Sequence, residues 1–150
     1  GNSTPMNLVE TRRLDLPVEF INVSKLRVTQ QLLADGANSD IHQSRHLVIR
    51  DQQAWTTLWK EHAPSTSGAP IVDFSQHMVV ALFLGQRANG CSAIEEVSIW
   101  REGNLSRVSH RDSYPAPGTI CTMAITTPYM FLLIPRNEDQ FEFNSVQIQI

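Results

Sequence analysis

The residues that could do chemistry are few: two cysteines, Cys91 and Cys121, and five histidines. His110 and Asp112 stand two apart in a segment that alternates like a strand, so both side chains lie on one face. There the carboxylate could orient the imidazole, and a thiolate from Cys91 or Cys121 would complete a nucleophile, base and carboxylate set. The same spacing makes the pair neighbours without any nucleophile, and a structural role for His110 is the simpler reading. No Gly-x-Ser-x-Gly elbow exists, and Gly90-Cys91-Ser92 lacks the following glycine. His42 and His46 are four apart, which would align them on a helix, but this stretch reads as turn plus strand. No His-Glu-x-x-His or Cys/His cluster is present, so no metal ligands are assigned. Glu95 and Glu96 point to opposite faces of a strand, which spoils them as a shared acid and base. The glycines of the Gly85–Gly90 turn lack the spacing and the lysine of a phosphate loop, and no cofactor motif is found. On count alone, one intramolecular bridge and two buried free thiols are both open for the cysteines.

The elements that must position these residues are mainly strands. Residues 18–33 carry apolar positions at irregular spacing, and the polar patch from Asp35 to Asp40 is a turn. Residues 43–50 read as a strand with His46, Val48 and Arg50 on one face and Leu47 and Ile49 on the other. One helix follows. Asp51 suits its N-cap, Ala54, Trp55, Leu58, Trp59 and His62 recur at helical spacing, and Pro64 ends it. Its two tryptophans require a large apolar surface, so the helix is expected to lie across a sheet or close a barrel end. Residues 78–84 form a continuous apolar run, the pattern of a strand buried on both faces. Residues 94–101 and 105–112 flank Gly103-Asn104, a tight hairpin turn that pairs Ile99 with Val108, Val97 with His110 and Trp100 with Arg107. The last pair would allow a cation–π contact. Residues 121–125 and 129–134 read as a strand pair around Thr127-Pro128. Residues 140–150 read as a half-buried closing strand with Val146, Ile148 and Ile150 on its apolar face. The expected fold is mainly β, an antiparallel sandwich or partly closed barrel with one helix packed against it.

Composition narrows the function classes. The 150 residues fit one domain, 41% hydrophobic and 18% charged, with a net charge of −3. With no Lys/Arg run longer than Arg12-Arg13, nucleic-acid binding is disfavoured. The longest uncharged apolar run, Met78 to Gly85, falls far short of the roughly 20 residues needed to span a bilayer. The first 17 residues, polar from Gly1 to Arg13, read as an N-terminal tether before a domain over 18–150. Such a tether is what a mature exported protein or trimmed lipoprotein would carry, with any signal or lipid anchor belonging to a precursor.

The order of several short signals resembles the PrcB C-terminal-type domain family over roughly residues 45–145. These signals are Val72-Asp73-Phe74-Ser75, Met78 to Gly85, the Gly90 turn and the hairpin. Tyr114-Pro115-Ala116-Pro117-Gly118, Thr126-Thr127-Pro128-Tyr129 and Ile134-Pro135-Arg136 follow, and the helix bearing Trp55 and Trp59 stands upstream. The family is named for an accessory subunit that binds and stabilises a secreted protease. The resemblance therefore implies an extracytoplasmic, non-enzymatic domain whose partner is another protein. Where family members commonly carry Gly-Gly-Tyr, this chain has Gly90-Cys91-Ser92, and Cys121 is gained as well. In an oxidising compartment the resemblance implies a Cys91–Cys121 bridge, worth roughly 3 kcal/mol in the chain-entropy model.

Three functions compete. The first is a protein-binding domain using an exposed strand edge at residues 140–150 or an apolar patch near the helix. The second is a small-molecule binder with a cavity lined by residues such as Phe83, Trp100 and Met123. The third is a thiol-dependent enzyme, which requires a free cysteine near His110.

Overall fold

The computed structural model describes residues 25–150, so the tether and the start of the 18–33 segment lie outside the described residues. The strands are β1 (Lys25–Arg27), β2 (Gln31–Gly36), β3 (Ser44–Ile49), β4 (His77–Leu84), β5 (Ala93–Glu102), β6 (Leu105–Tyr114), β7 (Tyr129–Pro135) and β8 (Gln140–Gln149), with helix α1 (Gln52–His62) between β3 and β4. They form two four-stranded sheets, β1-β5-β6-β8 and β2-β7-β4-β3, which stack face to face and do not close into a barrel.

Helix α1 begins where Asp51 caps it, its Oδ1 accepting from the Ala54 N–H at 2.8 Å. It ends at Ala63, whose N–H donates to the Trp59 carbonyl, and Pro64 cannot extend the ladder. The face carrying Trp55, Leu58 and His62 is buried against the β2-β7-β4-β3 sheet, where Ile49, Val79, Ala81, Phe83 and Phe131 meet it. The Trp55 indole N–H donates to the Pro70 carbonyl at 2.9 Å, so its polar atom is satisfied within the core. On the opposite face of this sheet, Met78, Val80, Leu82, Leu132 and Ile134 pack against Ile99 and Val108 of the other sheet. Strand β4 is thus buried on both faces, as its unbroken apolar run predicts. Each large side chain withdrawn from water contributes about 1.5–3 kcal/mol.

The β5–β6 hairpin has the expected register, with Ile99 opposite Val108, Val97 opposite His110 and Trp100 opposite Arg107. Gly103 takes the positive φ (61°) that this turn needs. Beyond Ile94 the ladder slips by one residue, leaving Glu95 as a bulge. Both Glu95 and Glu96 are exposed, and Glu96 lies 3.6 Å from Arg111.

Four expectations are corrected. Arg107 does not cover Trp100; it turns to Glu102 and Glu142, while Lys25 and Arg27 of β1 sit over the indole at 5.4 and 4.4 Å. Residues 121–125 are not a strand. This stretch belongs to a loop that Pro115, Pro117 and Gly118 break at its start, and only Thr126 and Thr127 make isolated bridges, to Arg87 and Asn38. Strand β8 is parallel to β6, the one parallel pairing among the described strands. The chain leaves β7 in one sheet and crosses to the hairpin turn of the other, where the Gln140 N–H donates to the Asn104 carbonyl at 3.0 Å. Entering beside the first residue of β6, it must run in the same direction. Finally, Phe141 and Phe143 face the core from β8, while Val146 and Ile150 are exposed and Ile148 is half-buried.

The crossing itself is held by Asp139, which is buried. Its Oδ1 accepts from Arg101 Nη2 at 2.9 Å and its Oδ2 from the Ser106 hydroxyl at 2.8 Å. Its carbonyl accepts from Arg50 Nη2 at 2.7 Å.

Candidate functional site

Between the sheets, the inward positions of β6 run Ser106, Val108, His110, Asp112, and those of β8 run Phe141, Phe143, Ser145, Gln147. The layer is therefore apolar at one end and polar at the other. At the polar end, His46 of β3 stacks on Phe143 with ring centroids 4.2 Å apart, and Arg87 arrives from the segment after β4. These side chains line a half-open recess of about 180 Å³ with Ser44, Asn144 and the ends of β4.

His110 and Asp112 are neighbours, as their spacing predicts, with Nδ1 and Oδ1 2.6 Å apart. Asp112 is 2% and His110 9% exposed, and Gln147 Nε2 reaches the other carboxylate oxygen at 3.4 Å. An ionised carboxylate only accepts, so Nδ1 carries a proton and Nε2 is left for other partners. The Arg87 Nε is buried and has no hydrogen-bond partner among the described residues. Withdrawal from water, with His110 nearby, pushes the His46 pKa below its ordinary value. Among the described residues no group of three or more His, Cys, Asp or Glu side chains is placed to hold a metal ion.

The two sulfurs are joined: Cys91 and Cys121 form a disulfide, with Cα atoms 5.6 Å apart. Neither is therefore a thiolate beside His110 in this state. The bridge instead fixes the loop over residues 115–128. The loop's beginning is tied to the chain's end, since the Ala116 N–H donates to the Ile150 carbonyl at 2.9 Å and the Ile150 N–H to Tyr114 at 3.0 Å. Its middle is held by the disulfide and by the Gly90 N–H bonding the Thr122 carbonyl at 3.0 Å. Its far side is held by a two-way backbone pairing of Arg87 with Thr126, at 2.8 and 2.9 Å. Between these ties stand Ile120, Met123 and Ile125, which are 96%, 88% and 66% exposed. The loop and the recess share Arg87, so both lie at one end of the molecule.

The residues of the sequence signature are scaffold rather than recess lining. Trp55 is core, and Trp59 packs beside it with its indole nitrogen buried and unpartnered among the described residues. Asp73 forms the turn before β4, its Oδ1 accepting from the Ser75 N–H and hydroxyl at 3.0 and 2.6 Å, which holds its carboxyl below the usual range. Phe74 packs on the helix-side core. Gly85 has φ 78°, and a Cβ there would lie 2.8 Å from the Ser44 nitrogen. A side chain at Gly90 would overlap the Thr122 hydroxyl, which is why the loop can close onto this point. Gly118 follows Pro117 with φ 87°, the Pro128 carbonyl accepts from the Leu84 N–H at 3.0 Å, and Tyr129 packs on His62 with centroids 4.2 Å apart.

The apolar cavity expected around Phe83, Trp100 and Met123 is not formed by those residues. Phe83 is in the helix-side core, Trp100 lies under β1 cations and Met123 is exposed. Missed in the sequence were His46, Arg87, Ser145 and Gln147 as companions of His110, and the exposure of Ile120, Met123 and Ile125. The apolar residues left unexplained between Pro117 and Thr126 were the available signal for the second group.

No protein-family model matches the chain, and no curated protein or solved structure is significantly similar to it.

Proposed function

We propose that this chain is a non-catalytic, extracytoplasmic protein-binding domain, and that the disulfide-tied loop is its principal contact surface. The observation that carries this reading is the exposure of Ile120, Met123 and Ile125 on a segment anchored at its beginning, middle and end. Three apolar side chains held in water by a fixed backbone are available for contact. On a partner they would contribute roughly 25 cal/mol per Å² of apolar surface buried, and the backbone ties reduce the entropy lost on docking. The disulfide supports an oxidising compartment. The resemblance to the PrcB C-terminal-type family supports an accessory role, such as stabilising a secreted protease.

The test is affinity capture from the envelope and secreted fractions of the producing cell, with wild type beside Ile120→Asp/Met123→Asp. Any captured protein is then purified and its complex reconstituted. The reading expects a stoichiometric complex with wild type, weakened at least tenfold by the double substitution at unchanged Tm. Equal binding by both forms would refute this surface.

A further inference from the structure

The loop leaves the neighbouring recess unexplained, and its chemistry is of another kind. Four side chains lining it can carry positive charge: Arg45, His46, Arg87 and His110. Arg45 is committed to Glu61 of α1, through bonds of 3.0 and 2.8 Å. Among the described residues the only acid lining it is Asp112, whose oxygens face His110 and Gln147. What remains is an Arg87 Nε–H withdrawn from water with no acceptor among the described residues, and an imidazole whose Nδ1 is held by a carboxylate so that Nε2 is the atom left to face a ligand. Ser44, Asn144 and Ser145 add uncharged polar groups around the same space. A donor-rich recess of about 180 Å³ has room for only a handful of non-hydrogen atoms.

We propose that this recess binds a single oxyanion group, a carboxylate or phosphate, with Arg87 as its fixed donor and His110 as its second. The site stands independently of the loop and of its partner.

The tautomer gives the proposal a proton. With Nδ1–H donating to Asp112, neutral His110 presents a lone pair at Nε2 and repels an anion. The imidazolium donates from both nitrogens. An oxyanion is therefore held best where Nε2 carries a hydrogen, and the Asp112 carboxylate 2.6 Å from Nδ1 stands behind that donor. His46, on the facing strand, has its pKa pushed below the ordinary value by desolvation and then by the proximity of His110. Affinity should rise as pH falls, by up to about tenfold per pH unit for one proton. The other charged groups facing this space are Arg45, Arg87 and Asp112, with Glu61 paired to Arg45.

The experiment follows the imidazole resonances of the whole chain by NMR at pH 6.0 and pH 8.0. Sodium phosphate and sodium acetate are titrated in, with sodium chloride at matched ionic strength as the control. A short peptide with a free C-terminal carboxylate is compared with its amide, and zinc chloride is run separately. The expected result is saturable shifts at His110 and His46 with an oxyanion and none with chloride, tighter at pH 6.0 and weakened at least tenfold in Arg87→Gln. Saturation by phosphate or acetate identifies a free ligand, whereas saturation by the peptide acid alone identifies a group carried on another chain. Two results would overturn the proposal: no saturable shift with any oxyanion, or binding of zinc alone with affinity that falls at pH 6.0. The wild-type titration decides the matter even where Arg87→Gln folds poorly.

Discussion

His62 is a titratable side chain used for packing. It is buried among Trp59, Phe83, Tyr129 and Phe131, with Nδ1 2.8 Å from the Ser39 hydroxyl. Burial pushes its pKa below the ordinary 6.5, partly opposed by Asp40, and His46 is shifted in the same direction. The folded chain therefore resists protons that the unfolded chain accepts. Stability is full above about pH 6.5 and falls as pH drops through the window below it, by at most about 1.4 kcal/mol per pH unit for each proton. Urea denaturation at pH 7.5, 6.0 and 5.0 should show this decline, and His62→Asn should flatten it while lowering stability at pH 7.5. A slope unchanged by His62→Asn would assign the dependence elsewhere. Asp139 is a residue of the opposite type, ionic and structural. Asp139→Ala leaves the fully buried Ser106 hydroxyl without its acceptor and should cost about 1–3 kcal/mol in equilibrium unfolding. What could be read from the sequence at this scale was the His110–Asp112 pair, because two positions on one strand face need nothing else to meet. His46 and Arg87 join them only through the stacking of two sheets, which no local spacing encodes.

Among the elements, the loop over residues 115–128 invites a direct separation of stability from binding. Ile120→Asp should change unfolding free energy by less than about 0.5 kcal/mol, since the side chain is 96% exposed. Cys91→Ser/Cys121→Ser should cost roughly 3 kcal/mol if the bridge acts mainly on the unfolded chain. It should also expose residues 115–125 to limited proteolysis under conditions where the rest of the domain survives, as mass spectrometry of the fragments would show. The β5–β6 hairpin was legible because Gly103-Asn104 fixes the register and every cross-strand partner follows from it. Strand β8 was only half legible. Its apolar residues change parity, from Phe141 and Phe143 to Val146, Ile148 and Ile150, and the apolar core reaches only the first pair. Residues 121–125 mislead for a related reason: Met123 and Ile125 alternate as in a strand, yet both stand in water on a loop.

On the scale of the whole molecule, the sandwich and helix divide the labour between the two ends. Helix α1 and β4 supply a core buried on both faces of one sheet, and the Asp139 crossing locks the sheets at one end. The other end is left with a polar recess and a tied, aliphatic loop. The mainly β architecture was legible because strand length, turn residues and a single capped helix all agree. The direction of β8 was not, since it depends on where the crossing delivers the chain. The central claim, that the loop is a protein contact surface, is tested most directly by photo-crosslinking in the producing cell. A photoreactive amino acid replaces Met123 in one variant and the exposed Gln53 of α1 in another. The account predicts one discrete protein adduct from position 123, absent from position 53 and lost when Ile120→Asp is added. The same adduct pattern from both positions, or no adduct from position 123, would contradict it.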